Sequence, residues 1–122
     1  MDKKILVVDD SEIVKNVIEK ALSFYGYTNI IFASDGEEAL KIIKDNLGSI
    51  ALYVFDVNMP VMDGLTLVKE TRQIDTTTPI IMLTTETDKK KMLIARDNGA
   101  TGWVIKPFEA EKFIKVIEMY LK

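Results

Sequence analysis

IALYVFDVNMPVMDG, running from Ile50 to Gly64, sets the reading of the whole chain. An apolar run (Leu52, Tyr53, Val54, Phe55) stops at Asp56, and Asn58-Met59-Pro60 and Asp63-Gly64 follow. The run is too short for a typical helix and carries aromatic and β-branched residues, so it reads as a buried strand. Its flanks lack polar alternation, as expected of a parallel strand covered on both faces. A carboxylate at the C-terminal end of such a strand stands where open α/β sheets bind ligands. Taken alone, Asp56 could equally begin a turn.

Four more apolar runs flank this one, each followed by a helical pattern. Lys3 to Val8 is a strand ending at Asp9-Asp10-Ser11, with Ser11 as N-cap of a helix whose apolar stripe is Val14, Val17, Ile18, Ala21, Leu22 and Tyr25. Gly26 stops that helix as a C′ residue. Asn29 to Ala33 is a second strand. Ser34-Asp35-Gly36-Glu37 then has capping-box spacing before a helix burying Ala39, Leu40, Ile42 and Ile43. Downstream, Gly64 to Gln73 is a helix with Leu65, Leu67, Val68 and Thr71 inward. Pro79 opens a strand (Ile80 to Leu83) that ends at Thr84-Thr85-Glu86. A lysine-rich helix spans Asp88 to Asn98 and stops at Gly99. Gly102 to Ile105 is a fifth strand ending at Lys106-Pro107, and Glu109 to Leu121 is a last helix burying Phe113, Ile114, Ile117 and Leu121. Strand and helix alternate five times with short connections, which predicts an α/β, doubly wound, five-stranded parallel sheet with helices on both faces and right-handed crossovers.

Composition limits the function. The 122 residues make one domain, 1–122. A net charge of −3 argues against a phosphate-backbone binder, so no nucleic-acid partner is expected. With no cysteine there is no thiolate chemistry, and with no histidine the chain neither carries a phosphohistidine nor uses imidazole as a base. No apolar run reaches the roughly 18 residues of a membrane span, and no signal-peptide pattern opens the chain. A soluble cytoplasmic protein is expected.

In a parallel sheet all strand C-termini share one edge. Asp9 and Asp10, Asp56, Thr84 and Lys106 therefore meet where the doubly wound topology opens its crevice. Two carboxylates about 4 Å apart repel by roughly 4 kcal/mol at an effective dielectric of about 20, so three call for a compensating cation or shifted pKa values. All candidate ligands are oxygens, which favours Mg²⁺, or Mn²⁺, over zinc or copper. Each residue has an ordinary explanation: a charged turn for Asp9-Asp10, strand chemistry for Thr84, a solvated lysine for Lys106. Their joint placement at one edge does not.

With Val8-Asp9-Asp10, Asp56 with Asn58-Met59-Pro60 and Asp63-Gly64, Thr84, and Gly102-Trp103-Val104-Ile105-Lys106-Pro107-Phe108, essentially the whole chain resembles a response-regulator receiver domain of the CheY type. The strand order 2-1-3-4-5 is that of CheY itself, so here it is carried by the resemblance and not read from the residues. The resemblance implies that Asp56 is the phosphoacceptor, forming an aspartyl phosphate. It implies that Asp10 and Asp56 bind Mg²⁺ directly and Asp9 through water, with the backbone carbonyl of Asn58 as a further ligand. Lys106 would pair with one phosphoryl oxygen and Thr84 hydrogen-bond another, and the Lys106-Pro107 bond would be cis. Trp103 stands where the family usually has tyrosine or phenylalanine as an aromatic switch, a departure that leaves the geometry of the switch open. Asn58 and Glu86, two residues past Asp56 and Thr84, occupy positions that tune phosphate lifetime.

With no chain past Lys122 in this sequence, output is expected through protein contact at a surface carrying Lys89, Lys90, Lys91, Met92 and Trp103; the lysine run also reads as a plain solvated face. The implied partners of this monomer are a sensor histidine kinase as donor, a flagellar motor switch protein as target, and a phosphatase. A phosphate sink or relay receiver without motor output is the alternative. An aspartyl-nucleophile phosphohydrolase would need a second Asp where Asn58 stands. A flavodoxin-like carrier would need hydroxyls and backbone donors where Asp9-Asp10 stand. A receiver promotes its own phosphorylation and dephosphorylation but is not a turnover enzyme.

Overall fold

Residues 3–85 and 89–121 are described by a computed structural model. Strands and helices alternate as β1 (Lys4–Val8), α1 (Glu12–Phe24), β2 (Ile30–Ala33), α2 (Gly36–Asp45), β3 (Ile50–Asp56), α3 (Gly64–Arg72), β4 (Ile80–Thr85), α4 (Lys89–Asn98), β5 (Gly102–Lys106) and α5 (Ala110–Leu121). The strands form one sheet in the order β2-β1-β3-β4-β5, and every neighbouring pair is parallel. The chain steps from β1 out to β2 and then crosses back past β1 to β3, so the crevice lies between the C-terminal ends of β1 and β3.

Two cores follow from the period-2 alternation of side chains along each strand. Ile5 and Val7 of β1, with Leu52, Val54, Ile81 and Leu83, face α1 and α5 and pack on Ile18, Leu22, Phe113, Ile114 and Ile117. Leu6 and Val8, with Tyr53, Phe55, Ile80 and Met82, face the other way and pack on Ala39 and Ile43 of α2, Leu67 and Val68 of α3, and Ala95 of α4. The central strands are therefore apolar on both sides. The expected inward set of α5 (Phe113, Ile114, Ile117, Leu121) is buried throughout.

Several local readings are corrected. In α1 only Ile18, Ala21 and Leu22 of the predicted stripe are fully inside; Val14 is half-buried, while Val17 and Tyr25 are 45% and 43% exposed. Tyr25 is the C-cap, past the last turn of the helix, and Val17 lies on the solvent-facing flank of the stripe. Lys15, on the same helix, is buried instead, and its ammonium is satisfied by Glu12 Oε2 at 2.8 Å and Ser34 Oγ at 2.9 Å. The cap of α2 is Asp35, not Ser34: Asp35 Oδ1 accepts from the Glu38 amide at 2.8 Å, and Glu38 Oε1 accepts from the Ser34 amide at 2.7 Å. The capping exchange is thus displaced by one residue, which leaves the Ser34 hydroxyl for Lys15. In α2 and α3 the inward faces are narrower than read, with Leu40, Ile42 and Leu65 only half-buried.

Gly26 does end α1. It has φ +93°, its amide reaches the Ser23 carbonyl at 3.0 Å, and the Tyr27 amide reaches the Leu22 carbonyl at 2.9 Å. These are the two crossing bonds of a Schellman motif, which a residue without Cβ permits at low cost. Of the residues of α4 only Ala95 is buried, and the helix carries Lys89, Lys90 and Lys91 in its first turn. Cations there oppose the helix macrodipole. Asp88, read as the start of this helix, lies outside the described residues, as does Glu86.

Candidate functional site

Asp56 is the last residue of β3, and the loop behind it is shaped by two short-range devices. The Val57 amide continues the ladder to the Leu83 carbonyl at 3.1 Å. Gly64 then returns so close that its amide donates to the Val57 carbonyl at 2.8 Å, and a Cβ at Gly64 would land on the Asp56 carbonyl. Asp63 caps α3, accepting from the Thr66 amide at 2.8 Å. Asp63-Gly64 is therefore the pair that folds the β3–α3 loop against the acidic edge. In the same loop Val61 has φ +69°, inside a tight turn closed by the Met62 amide on the Pro60 carbonyl at 2.8 Å.

β1 delivers Asp9, fully buried, and Asp10, exposed. Asp9 Oδ1 accepts from the Ser11 amide at 2.8 Å, which turns its second oxygen toward the crevice. β5 delivers Lys106, whose peptide bond to Pro107 is cis. Lys106 Nζ donates to Asp56 Oδ1 at 2.9 Å and to Asp9 Oδ2 at 3.2 Å, so one ammonium bridges two buried carboxylates. Asp9, Asp10 and Asp56 each place an oxygen within 4.8 Å of the others. Thr84 is buried at the end of β4, its hydroxyl 3.4 Å from the Thr85 carbonyl.

Electrostatics follow from this packing. Burial pushes the Asp56 carboxyl up and the Asp9 charge adds to that, while the hydrogen bond and charge of Lys106 and the Asn58 backbone amide oppose it; the net direction is up. Burial alone would pull the Lys106 ammonium down, but its hydrogen bond to Asp56 and the charges of Asp56 and Asp9 outweigh it and hold it above the ordinary lysine range. One cation against three carboxylates leaves the cluster short of positive charge. An all-oxygen donor set of this compactness suits a hard divalent cation such as Mg²⁺.

The family model for the response regulator receiver domain matches residues 5–118. The chain belongs to the response regulator receiver family. Among this family's members, it is 37% identical to chemotaxis protein CheY1 of Helicobacter pylori over 120 residues, which is 97% of this chain and 96% of that protein. It is also 37% identical to the probable transcriptional regulator ycf27 of Porphyridium aerugineum, of which it spans 48%. Chemotaxis protein CheY4 of Vibrio cholerae superposes with a TM-score of 0.89 at 38% identity, over 99% of this chain and 100% of that one. This is a CheY-like receiver, and receivers are generally not turnover enzymes.

For this receiver, the residues read from sequence divide into two groups. Asp9, Asp56 and Lys106 are in direct contact, Asp10 is beside them, and Thr84 lines the end of the adjacent strand. Trp103 lies apart on β5, 38% exposed and paired in register with Met82; it borders a cavity of about 430 Å³ with Phe108, Glu109 and Lys112. Lys89 and Lys90 are exposed, Met92 is half-buried, and Lys91 reaches back to Asn58, its Nζ 2.8 Å from Asn58 Oδ1. Nothing in the sequence pointed to that contact, nor to the apolar cavity of about 350 Å³ beside Lys106 walled by Ile13, Val17, Pro107 and Phe108. Ile13 falls off the buried stripe of α1, which was the one available sign that this helix has a second apolar face.

Proposed function

We propose that this receiver accepts a phosphoryl group on Asp56 and signals by phosphorylation-dependent protein binding. The observation that carries the reading is the Lys106 ammonium bridging Asp56 and Asp9 at the sheet's C-terminal edge. A phosphohistidine of a sensor kinase is the donor: the Asp56 carboxylate oxygen attacks phosphorus in line, the P–N bond breaks, and the imidazole nitrogen leaves with the electron pair. Asp10 and Asp56, with Asp9 through water and the Asn58 carbonyl, would hold Mg²⁺, which when bound offsets charge on the transferring oxygens.

The chain's own residues do the rest. Lys106 already sits 2.9 Å from the attacking carboxylate, so it needs little movement to pair with an added phosphoryl oxygen. Thr84 offers a buried hydroxyl for a second oxygen. Drawing Thr84 inward would make room for Trp103 to turn from solvent toward β4, a population shift between two surface states and not a large motion. Asn58 and Glu86 would set how readily water reaches the aspartyl phosphate.

Incubation with acetyl phosphate or phosphoramidate and Mg²⁺ tests this. Wild type should gain one phosphate in mass and change its Trp103 fluorescence, and Asp56→Asn should do neither; phosphate on both, or on neither, would overturn the assignment. The likeness to CheY1 supports a flagellar motor switch protein as target. An equal identity to the probable transcriptional regulator ycf27 supports a receiver with another regulatory output; a phosphate sink is the remaining reading without motor output. Phosphorylation raises affinity for a motor switch peptide in the first case and leaves it unchanged in the second.

A further inference from the structure

We propose that Lys91 is a positioning residue of the aspartyl site: by engaging the Asn58 carboxamide oxygen from α4, it withholds that oxygen from the attacking water and lengthens the life of the aspartyl phosphate. The proposal rests on the reading of Asp56 as phosphoacceptor. It adds a residue from a different element, 33 positions along the chain from Asn58.

The orientation of the contact is unambiguous, because an ammonium only donates and, of the two ends of a carboxamide, only the oxygen accepts. Asn58 Oδ1 is therefore the atom held, at 2.8 Å. Asn58 is two residues past Asp56, and its backbone amide already hydrogen-bonds the Asp56 carboxylate. Its side chain thus hangs from a loop fixed to the reacting group. Water attacking an aspartyl phosphate must be oriented, and a carboxamide oxygen is the acceptor that does so by taking a hydrogen bond from the water. An oxygen occupied by an ammonium is a poorer acceptor. The oxygen has two acceptor positions, and removing the ammonium returns the one that Lys91 holds.

The other end of the contact gives it a second consequence. Among the described residues of α4 only Ala95 is buried, and the Asn98 carboxamide donates to the Leu65 carbonyl at 3.1 Å near the helix C-terminus. Its N-terminal turn carries three lysines against the helix dipole, so Lys91 on Asn58 is a tether at the end that needs one. Any partner that draws α4 away from the β3–α3 loop breaks the bond and changes phosphate lifetime.

The test is a double-mutant cycle on the decay of the aspartyl phosphate, followed by loss of phosphate mass after acetyl phosphate is removed. Lys91→Ala should speed decay on the order of threefold, the effect of losing one exposed hydrogen bond at its modest net value. Lys91→Arg should restore the wild-type rate, and in an Asn58→Ala background Lys91→Ala should have no further effect. An unchanged rate in Lys91→Ala, or an equal acceleration with and without Asn58, would overturn the proposal while leaving phosphorylation at Asp56 intact. Failure of wild type to gain phosphate at all would instead sink the function itself.

Discussion

Replacing Lys106 with methionine removes a charge while keeping a stem of similar length. Asp9 and Asp56 would remain buried without the cation that now lies 3.2 and 2.9 Å from them. Two unit charges 4.8 Å apart, the outer limit for these oxygens, repel by roughly 3.5 kcal/mol at an effective dielectric of about 20. Breaking a buried pair costs about 3–5 kcal/mol by the same logic. The Lys106 side chain is 22% exposed, and water reaching it screens part of this. We expect a loss of about 3 kcal/mol at pH 7, or roughly 10 °C in Tm for a domain of this size.

The pH dependence separates charge from packing. Without Lys106, burial and the Asp9 charge act on Asp56 with less opposition, so its folded pKa rises further above the unfolded value. A carboxyl shifted that way is stabilising when protonated and loses that contribution as pH rises through its folded pKa. The deficit of Lys106→Met should therefore be small in acid and full at neutral pH. Mg²⁺ should shrink it at pH 7 by supplying the missing charge. Thermal melts by circular dichroism at acid and neutral pH, with and without Mg²⁺, read all three. An equal loss at both pH values would show that Lys106 stabilises through its methylenes and refute the electrostatic account.

Three further outcomes follow from local geometry. Val61→Asn should stabilise the protein by about 1 kcal/mol in urea titrations, because a β-branched residue at φ +69° pays a backbone cost that asparagine largely avoids; a loss of stability would show the Val61 side chain to be a needed contact. Asp35→Ala should cost about 1 kcal/mol and speed hydrogen exchange at the Glu38 amide, whereas Ser34→Ala should leave that amide protected. Burial pushes the Asp75 carboxyl up, but hydrogen bonds from Thr78 and Tyr53 outweigh it and hold it below the usual carboxylate range. Its stabilisation is then present above the ordinary carboxylate pKa and lost as pH falls through the folded value, so Asp75→Asn should flatten the acid limb of a stability–pH curve.

Much of the architecture could be read along the chain because it depends on repeating local choices. Apolar runs of strand length, helical stripes between them and a glycine at Gly26 specify elements and their order. Once all strands run parallel, their C-terminal residues must share an edge, and so Asp9, Asp56, Thr84 and Lys106 were predictable as neighbours with no coordinates at all. The errors have a common origin. Val17 and Tyr25 obey the same periodicity as Ile18 and Leu22, but which part of a stripe is covered depends on how the helix docks. Ser34 and Asp35 are both good caps by residue type; in the fold Asp35 caps α2 and the Ser34 hydroxyl accepts from Lys15 of α1, a partner 19 positions away.

Side-chain period and chain direction thus place the three acids and Lys106 at one rim, because both are properties of the backbone that every residue inherits. Which of those acids Lys106 bridges, and that Lys91 spends its charge on Asn58, depend on long side chains choosing among partners far away in the chain. Those choices are settled by distances of about 3 Å that exist only after the sheet has formed and its helices have docked.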